Sequence, residues 1–120
     1  MIKDILPLLD RYFDLLYTCE VSEFDQVFHP EAALQTVGPN GYVQLSAAQY
    51  KDLLSKRASP LSQGAARKDD VLTVDQSSPT TAFAKTRAEI NGTTYCDYLS
   101  LLKLDGGWRI AAKVYCIVPK

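Results

Sequence analysis

The stretch YCDYLSLLKLDGGWRIAAKVY, residues 95–115, consists of two largely apolar runs joined by Asp105-Gly106. An Asp-Gly pair between two such runs is typical of a β-hairpin with a type I′ turn, in which both central residues have positive φ. The sequence therefore predicts that the last part of the chain is a hairpin of two long strands.

The side-chain pattern of this hairpin predicts one apolar face that ends in an acid. A type I′ turn would pair Lys103 with Trp108, Leu101 with Ile110, Leu99 with Ala112 and Asp97 with Val114. That face would contain Leu99, Leu101, Trp108, Ile110, Ala112 and Val114. Asp97 lies at its end, with Tyr95 beyond. A buried carboxylate is costly unless it is paired, hydrogen-bonded or protonated, so Asp97 indicates a pocket.

A slip of one residue would instead put Asp97 and Ile110 on opposite faces, and the type I′ register is preferred because it groups the apolar residues.

The opposite face of the hairpin mixes tyrosines, leucines and cations, a composition that suits a contact with another protein. Its members are Tyr98, Ser100, Leu102, Leu104, Arg109, Ala111, Lys113 and Tyr115.

The composition is that of an ordinary globular domain. The chain has 120 residues, 47% of them hydrophobic and 22% charged, and a net charge of −1. We expect a single domain over residues 1–120. The weak net charge argues against a nucleic-acid or anionic-membrane surface. No apolar run approaches the roughly 18 residues of a membrane span. The first residues contain an early acid and no continuous apolar core, unlike a signal peptide, so we expect a cytoplasmic protein.

Three cysteines, Cys19, Cys96 and Cys116, give an odd number without close spacing. This pattern argues against a disulfide framework and against a zinc site. Cys96 and Cys116 would lie on the paired strands but on opposite faces in the preferred register. We expect three reduced, partly buried thiols.

The rest of the chain predicts an α+β order of elements. Apolar spacing of three and four indicates a helix over residues 3–18, starting nearer residue 4 because of Pro7. Ser22 predicts a short second helix over 22–28, ended by His29-Pro30. Ser46 is a candidate N-cap for a third helix. The remaining predicted segments are strands 33–37 and 42–45, helix 47–57, loop 58–66, and strands 69–76, 80–90, 94–104 and 107–117. A strongly bent sheet around the first helix would form a cone whose interior suits a ligand.

This order resembles the nuclear transport factor 2-like (NTF2-like) superfamily, a cone-shaped, cystatin-like α+β fold shared with ketosteroid isomerase and the SnoaL-type polyketide cyclases. Within it, the chain is similar to the group labelled putative lumazine-binding proteins. The segments that carry the likeness are residues 12–17 (YFDLLY), 28–32 (FHPEA), 97–103 (DYLSLLK), 107–110 (GWRI) and 113–114 (KV). The resemblance implies the fold and a homodimer through the sheet face that carries Tyr98, Ser100, Leu102, Arg109, Lys113 and Tyr115.

Candidate catalytic residues are Asp97, Tyr12 and His29. Asp97 would exchange a proton with a ligand, or would be a structural acid bonded to a helix tyrosine or a cation. By resemblance to ketosteroid isomerase, Tyr12 or Tyr17 with Asp97 would match a tyrosine and an acid, while the separate carboxylate base has no counterpart. His29, the one histidine, would be an acid–base group or a local cap. The expected ligand-binding residues are Tyr17, Tyr95, Leu99, Trp108 and Lys113.

Two functional hypotheses follow. The first is a small-molecule binding protein with a mostly apolar pocket, extending to a cofactor-free isomerase, cyclase or dehydratase. The second is a non-enzymatic dimeric interaction or scaffold module with a filled cone. No phosphate-binding loop, nucleophile elbow or metal-ligand cluster occurs in the sequence, so we expect no cofactor and no metal.

Overall fold

The computed structural model describes residues 2–120, in which six strands form one sheet. Two α-helices, α1 (Leu6–Thr18) and α2 (Ala47–Lys56), accompany short 3₁₀ turns at Ile2–Asp4 and Val21–Gln26. The strands are β1 (Phe28–Gly38), β2 (Gly41–Ser46), β3 (Asp69–Ser78), β4 (Thr81–Ile90), β5 (Thr93–Leu104) and β6 (Gly107–Ile117). Their order in the sheet is β2-β1-β6-β5-β4-β3, and only the β1–β6 pair is parallel. The predicted α+β class with a mostly antiparallel sheet is confirmed.

Helix α1 lays its apolar face against the inner side of the sheet. It begins at Leu6, later than the predicted start, and Pro7 occupies the first turn, where a missing N–H is tolerated. The helix ends at Cys19, which is left-handed with φ 53° and donates its N–H to the Leu15 carbonyl. Among residues 2–120, no helix combines the length and the apolar character needed to cross a membrane.

Strand β1 begins earlier than the sequence pattern predicted. The predicted helix over 22–28 is a 3₁₀ turn that ends at Gln26, and the predicted end at His29-Pro30 lies inside β1. The proline forces His29 into an extended conformation, and the chain continues in that conformation as a strand. Parallel pairing begins at Phe28, opposite Ile110, and the register shifts before Ala33.

Helix α2 starts where predicted, with a complete capping box. The Ser46 hydroxyl accepts the Gln49 N–H at 3.1 Å, and the Gln49 side-chain oxygen accepts the Ser46 N–H at 2.8 Å. Two otherwise unpaired amide groups are thereby satisfied. The sequence of this helix predicts an apolar stripe of Tyr50, Leu53 and Leu54; Tyr50 and Leu54 are buried, whereas Leu53 is 38% exposed.

The turn of the β5–β6 hairpin differs from the predicted type I′ turn. Neither Asp105 nor Gly106 has positive φ; the left-handed residue is Gly107, with φ 111°. A glycine adopts that conformation without steric cost, so the left-handed residue follows the two turn residues instead of being one of them. The first pairs, Lys103 with Trp108 and Leu101 with Ile110, are nevertheless as predicted.

Beyond these pairs the predicted register is wrong, because β6 contains a β-bulge at Ala111. Leu101 pairs with Ile110, but Ser100 pairs with Ala112, so one residue of β6 is left unpaired. The strand therefore changes face by one residue. The corrected pairs are Leu99 with Lys113, Tyr98 with Val114, and Asp97 with Tyr115.

The bulge redistributes the faces of β6. Val114, predicted on the inner face, is 48% exposed, while Lys113, predicted on the outer face, is 5% exposed. Tyr115 likewise turns inward and packs against the core. The predicted intersubunit face thus loses Lys113 and Tyr115 and keeps Tyr98, Ser100, Leu102 and Arg109.

The bulge also corrects the expectation that Cys96 and Cys116 point to opposite faces. They are direct partners in the β5–β6 ladder, which puts both side chains on the outer face. Cys96 is buried, Cys116 is exposed, and both thiols are free.

Candidate functional site

Asp97 is a buried carboxylate held from one side. Its Oδ2 accepts a hydrogen bond from the Tyr12 hydroxyl at 2.5 Å and one from the Thr86 hydroxyl at 3.4 Å. Its Oδ1 is buried and accepts no hydrogen bond from residues 2–120. Strand β5 brings Asp97 to the inner face, and α1 brings Tyr12 across from it. One oxygen is therefore fixed in place while the other keeps its lone pairs available.

Lys113 supplies the charge that faces this second oxygen. Its Nζ lies 3.8 Å from Asp97 Oδ1 and donates to the Tyr50 hydroxyl at 3.4 Å. The ammonium is also 5.2, 4.9 and 5.2 Å from the ring centroids of Tyr12, Tyr50 and Tyr115. Three electron-rich ring faces stabilise a cation at such distances.

The surroundings keep both Lys113 and Tyr12 protonated. Burial lowers the pKa of Lys113, but the Asp97 carboxylate and Tyr50 outweigh burial, and the net pKa is raised above 10.5. Burial, followed by the charge of Asp97, raises the pKa of Tyr12 well above 10.0. At neutral pH the site therefore contains an ammonium donor and a phenol donor.

A cavity of about 210 Å³ opens above this cluster. It lies between α2 and the inner face of the sheet. Its lining residues are Leu16, Leu45, Tyr50, Leu53, Arg57, Ile90, Tyr95, Asp97, Lys113 and Tyr115. Aliphatic and tyrosine side chains form the walls, and charged groups lie at defined points among them, as is common in small-molecule sites.

The predicted site residues fall into three groups. Asp97, Lys113 and Tyr95 line the cavity, and Tyr12 lies beneath Asp97, fully buried. Leu99 and Trp108 are 1% and 6% exposed and belong to the hydrophobic core, outside the cavity wall.

Tyr17 and His29 lie away from this cavity. The Tyr17 hydroxyl donates to the Ala65 carbonyl at 2.7 Å, and the ring borders a separate shallow groove. His29 Nδ1 accepts the Glu31 N–H at 3.0 Å, in β1. The local-cap interpretation assumed a helix end at His29, but His29 lies inside β1.

Two residues of the site, Arg57 and Thr86, were not singled out from the sequence, and Tyr115 was predicted on the outer face. Tyr50 and Arg57 come from α2 and the residue after it, and their spacing of seven places both on one helix face. That spacing was the available signal for Arg57. Thr86 is a fully buried hydroxyl opposite Asp97 in the β4–β5 ladder. Among residues 2–120, no three histidine, cysteine or acidic side chains converge as a metal site would require.

A curved, mostly antiparallel six-stranded sheet packed on an N-terminal helix has the architecture of the NTF2-like class of folds. An NTF2-like protein of unknown function from Shewanella baltica superposes with a TM-score of 0.87 at 20% identity, covering 99% of this chain and 94% of that one. A ketosteroid isomerase-like protein from Erwinia carotovora atroseptica superposes with a TM-score of 0.74 at 11% identity, covering 98% and 96%. A cystatin-like fold protein from Burkholderia xenovorans gives 0.77 at 14% identity, covering 99% and 92%.

Sequence comparison gives the family within this class. The family described as putative lumazine-binding matches residues 1–116, and the chain belongs to it. The chain is also 30% identical over 95 residues to aldolase FrzH from a Cladobotryum species, which covers 78% of this chain and 72% of that protein.

Proposed function

We propose that this protein binds a small molecule in the cavity above Asp97 and acts on it as a cofactor-free acid–base catalyst. The observation that carries the proposal is Asp97 Oδ1: a buried carboxylate oxygen at the cavity wall, without a hydrogen bond from residues 2–120. Tyr12 and Thr86 hold the other oxygen, so Oδ1 is oriented as a proton acceptor.

The reaction begins with a proton on a carbon next to a carbonyl group of the ligand. Asp97 Oδ1 takes this proton, the C–H electron pair forms a carbon–carbon double bond, and the carbonyl π pair moves to oxygen. Lys113 Nζ donates a hydrogen bond to the resulting enolate oxygen, beside the Tyr50 hydroxyl. The protonated Asp97 then returns its proton to another carbon in an isomerase, or to a departing hydroxide in a dehydratase. In an aldol-type or cyclising reaction, the enolate carbon attacks a second carbonyl group, whose π pair moves to oxygen, and the alkoxide so formed takes the proton from Asp97.

Lys113 acts as a cation in this scheme. Because Asp97 and Tyr50 raise its pKa despite burial, the amine is protonated at neutral pH and does not add to carbonyl groups. The similarity to aldolase FrzH supports a reaction that passes through an enolate. An aldolase of this kind would not be trapped as a lysine adduct by cyanoborohydride in the presence of a carbonyl compound.

The experiment is solvent-deuterium exchange into small cyclic ketones and β-diketones, followed by NMR. Wild type should accelerate exchange, and Asp97→Asn should reduce the accelerated rate by about 10²- to 10⁴-fold, the usual contribution of a positioned acid–base group. Asp75→Asn, which removes an exposed acid of β3, is the matched control. Equal exchange rates in wild type and Asp97→Asn would exclude the proposal.

The second candidate, a dimeric interaction module, is favoured by the apolar outer face of the sheet. Tyr98, Leu102 and Val114 are 48%, 39% and 48% exposed on this face. Exposed apolar side chains that adjoin one another suit a second copy of this chain. Sedimentation of wild type and Tyr98→Asp tests the homodimer, which the variant should dissociate. Arg109 would contribute less to this contact between two copies than the sequence predicts, because its guanidinium donates to the Asp25 and Trp108 carbonyls of its own chain.

A further inference from the structure

Arg57 carries a charge at the cavity that nothing in the described chain neutralises. Its Nη1 is buried and has no hydrogen-bond partner within residues 2–120. The side chain lines the cavity, and its backbone N–H closes the end of α2 by donating to the Leu54 carbonyl. A buried guanidinium nitrogen without a partner is unfavourable, and such groups concentrate where a ligand completes the bonding.

The charge balance of the cavity wall leaves a net positive charge. Among the residues that the structure describes, 2–120, Lys113 and Arg57 are the cations of the lining, and Asp97 is its one carboxylate. The charge of Asp97 is already balanced by Lys113, whose Nζ lies 3.8 Å from Oδ1, and Tyr12 donates a hydrogen bond to Oδ2. Arg57 thus remains uncompensated in a site where water is partly excluded, and one unit of negative charge would restore balance.

From this imbalance we infer that the ligand is a small organic monoanion whose carboxylate pairs with Arg57 while the rest of the molecule extends towards Asp97. A guanidinium binds a carboxylate through two parallel hydrogen bonds, which fixes the orientation of the ligand. Tyr50, Tyr95 and Tyr115 line the same cavity and suit a flat, unsaturated body.

Size and charge narrow the ligand class further. The cavity of about 210 Å³ is smaller than the sites that drug-sized ligands occupy. A doubly charged phosphate ester would place surplus negative charge beside Asp97, which a monocarboxylate avoids. The inference rests on the proposed function only in taking this cavity as the ligand site, and it does not require that Asp97 catalyse a reaction.

Matched pairs of ligands test the inference: benzoate, 2-furoate and crotonate, each against its own amide, with binding followed by NMR titration. In wild type, the carboxylates should bind about tenfold or more tightly than the amides, the ratio expected for a charge-assisted contact. Arg57→Met should abolish this preference, and Arg57→Lys should restore part of it. Arg87→Met, which removes an exposed arginine from β4, should keep it.

Several results would overturn the inference: amides that bind as tightly as the carboxylates, a preference that persists in Arg57→Met, or no binding by any pair. A second readout needs no ligand, because Arg57→Met should unfold at the same temperature as wild type or higher, as expected for a residue retained for binding. A clear loss of stability in Arg57→Met would assign the residue to the fold. If the carboxylate preference holds while Asp97→Asn leaves deuterium exchange unchanged, the catalytic proposal fails and this inference stands.

Discussion

Lys113 Nζ lies 3.8 Å from Asp97 Oδ1, although the two residues are not partners in the β5–β6 ladder. Lys113 pairs with Leu99, and Asp97 pairs with Tyr115, so the two charges are diagonal neighbours. Their side chains are 6% and 1% exposed. A buried pair of this kind stabilises a fold weakly in net terms, yet removal of one partner is strongly unfavourable. The pair therefore positions charge within the cavity more than it stabilises the protein.

The bulge at Ala111 predicts an unreactive Lys113. After a brief treatment with acetic anhydride, mass spectrometry should show that Lys113 is acetylated at least about tenfold more slowly than exposed Lys103. A tenfold difference requires only that the local opening that exposes Lys113 costs about 1.4 kcal/mol. Deletion of Ala111 removes the unpaired residue and leaves Lys113 opposite Leu99, so Lys113 should still be acetylated much more slowly than Lys103. Equal rates for the two lysines in wild type would contradict the inward orientation.

The hydrogen bond from Tyr12 to Asp97 predicts an asymmetric cost for two hydroxyl deletions on α1. Tyr12→Phe leaves a buried carboxylate oxygen short of a donor and should reduce the free energy of unfolding by about 1.5–3 kcal/mol. Tyr17→Phe loses a bond to the partly exposed Ala65 carbonyl and should cost about 0.5–1.5 kcal/mol. Urea unfolding of both variants measures the difference. A smaller loss in Tyr12→Phe than in Tyr17→Phe would refute the role assigned to Tyr12.

The raised pKa values predict alkaline sensitivity. Tyr12 and Lys113 have folded-state pKa values above their ordinary 10.0 and 10.5, so their contribution to stability is fully present below those values. As pH rises further, the unfolded chain loses these protons first, and the free energy of unfolding falls. Urea unfolding between about pH 8 and pH 11 should show this decline. In Tyr12→Phe the free energy of unfolding should fall less steeply with pH. Tyr42 is 63% exposed, and Tyr42→Phe should leave the slope unchanged.

The capping box at Ser46 predicts a local effect on the helix that brings Tyr50 to the cavity. Ser46→Ala removes the acceptor for the Gln49 N–H and should cost about 1 kcal/mol in thermal or urea unfolding. Ser55→Ala is the comparison, because its hydroxyl only donates to the Asp52 carbonyl on the exposed side of α2. Similar losses in the two variants would argue against the cap.

Most of the strands could be predicted from sequence because their signals are local. Apolar alternation and the Asn91-Gly92 and Asp105-Gly106 turns delimit β4, β5 and β6. The bulge could not be predicted in this way. Trp108 and Ile110 point inward at even positions, but the inward positions become odd at Lys113. Ala111 and Ala112, which separate them, are small enough for either face, so the change of register leaves no break in the hydrophobic pattern.

The candidate site was predictable only in the part whose signal lies within a single strand. Asp97 stood out because an acid on an apolar strand face is unusual, and that signal depends on one strand alone. Thr86 and Arg57 acquire their significance from other elements of the fold, Thr86 across the β4–β5 ladder and Arg57 across the cavity from β6. The positions of Thr86 and Arg57 in the sequence do not indicate that either residue lies near Asp97 or the cavity.

Strand β6 follows every other strand in the chain but lies third in the sheet, between β1 and β5. During synthesis, β1–β2 and β3–β5 leave the ribosome as two groups of strands that do not pair with each other. They can join only after residues 107–117 have emerged, and pairing across such sequence distances is slow. Because Lys113 lies on this joining strand, completion of the sheet and assembly of the charged cavity are one event, and a nascent chain lacking β6 has neither.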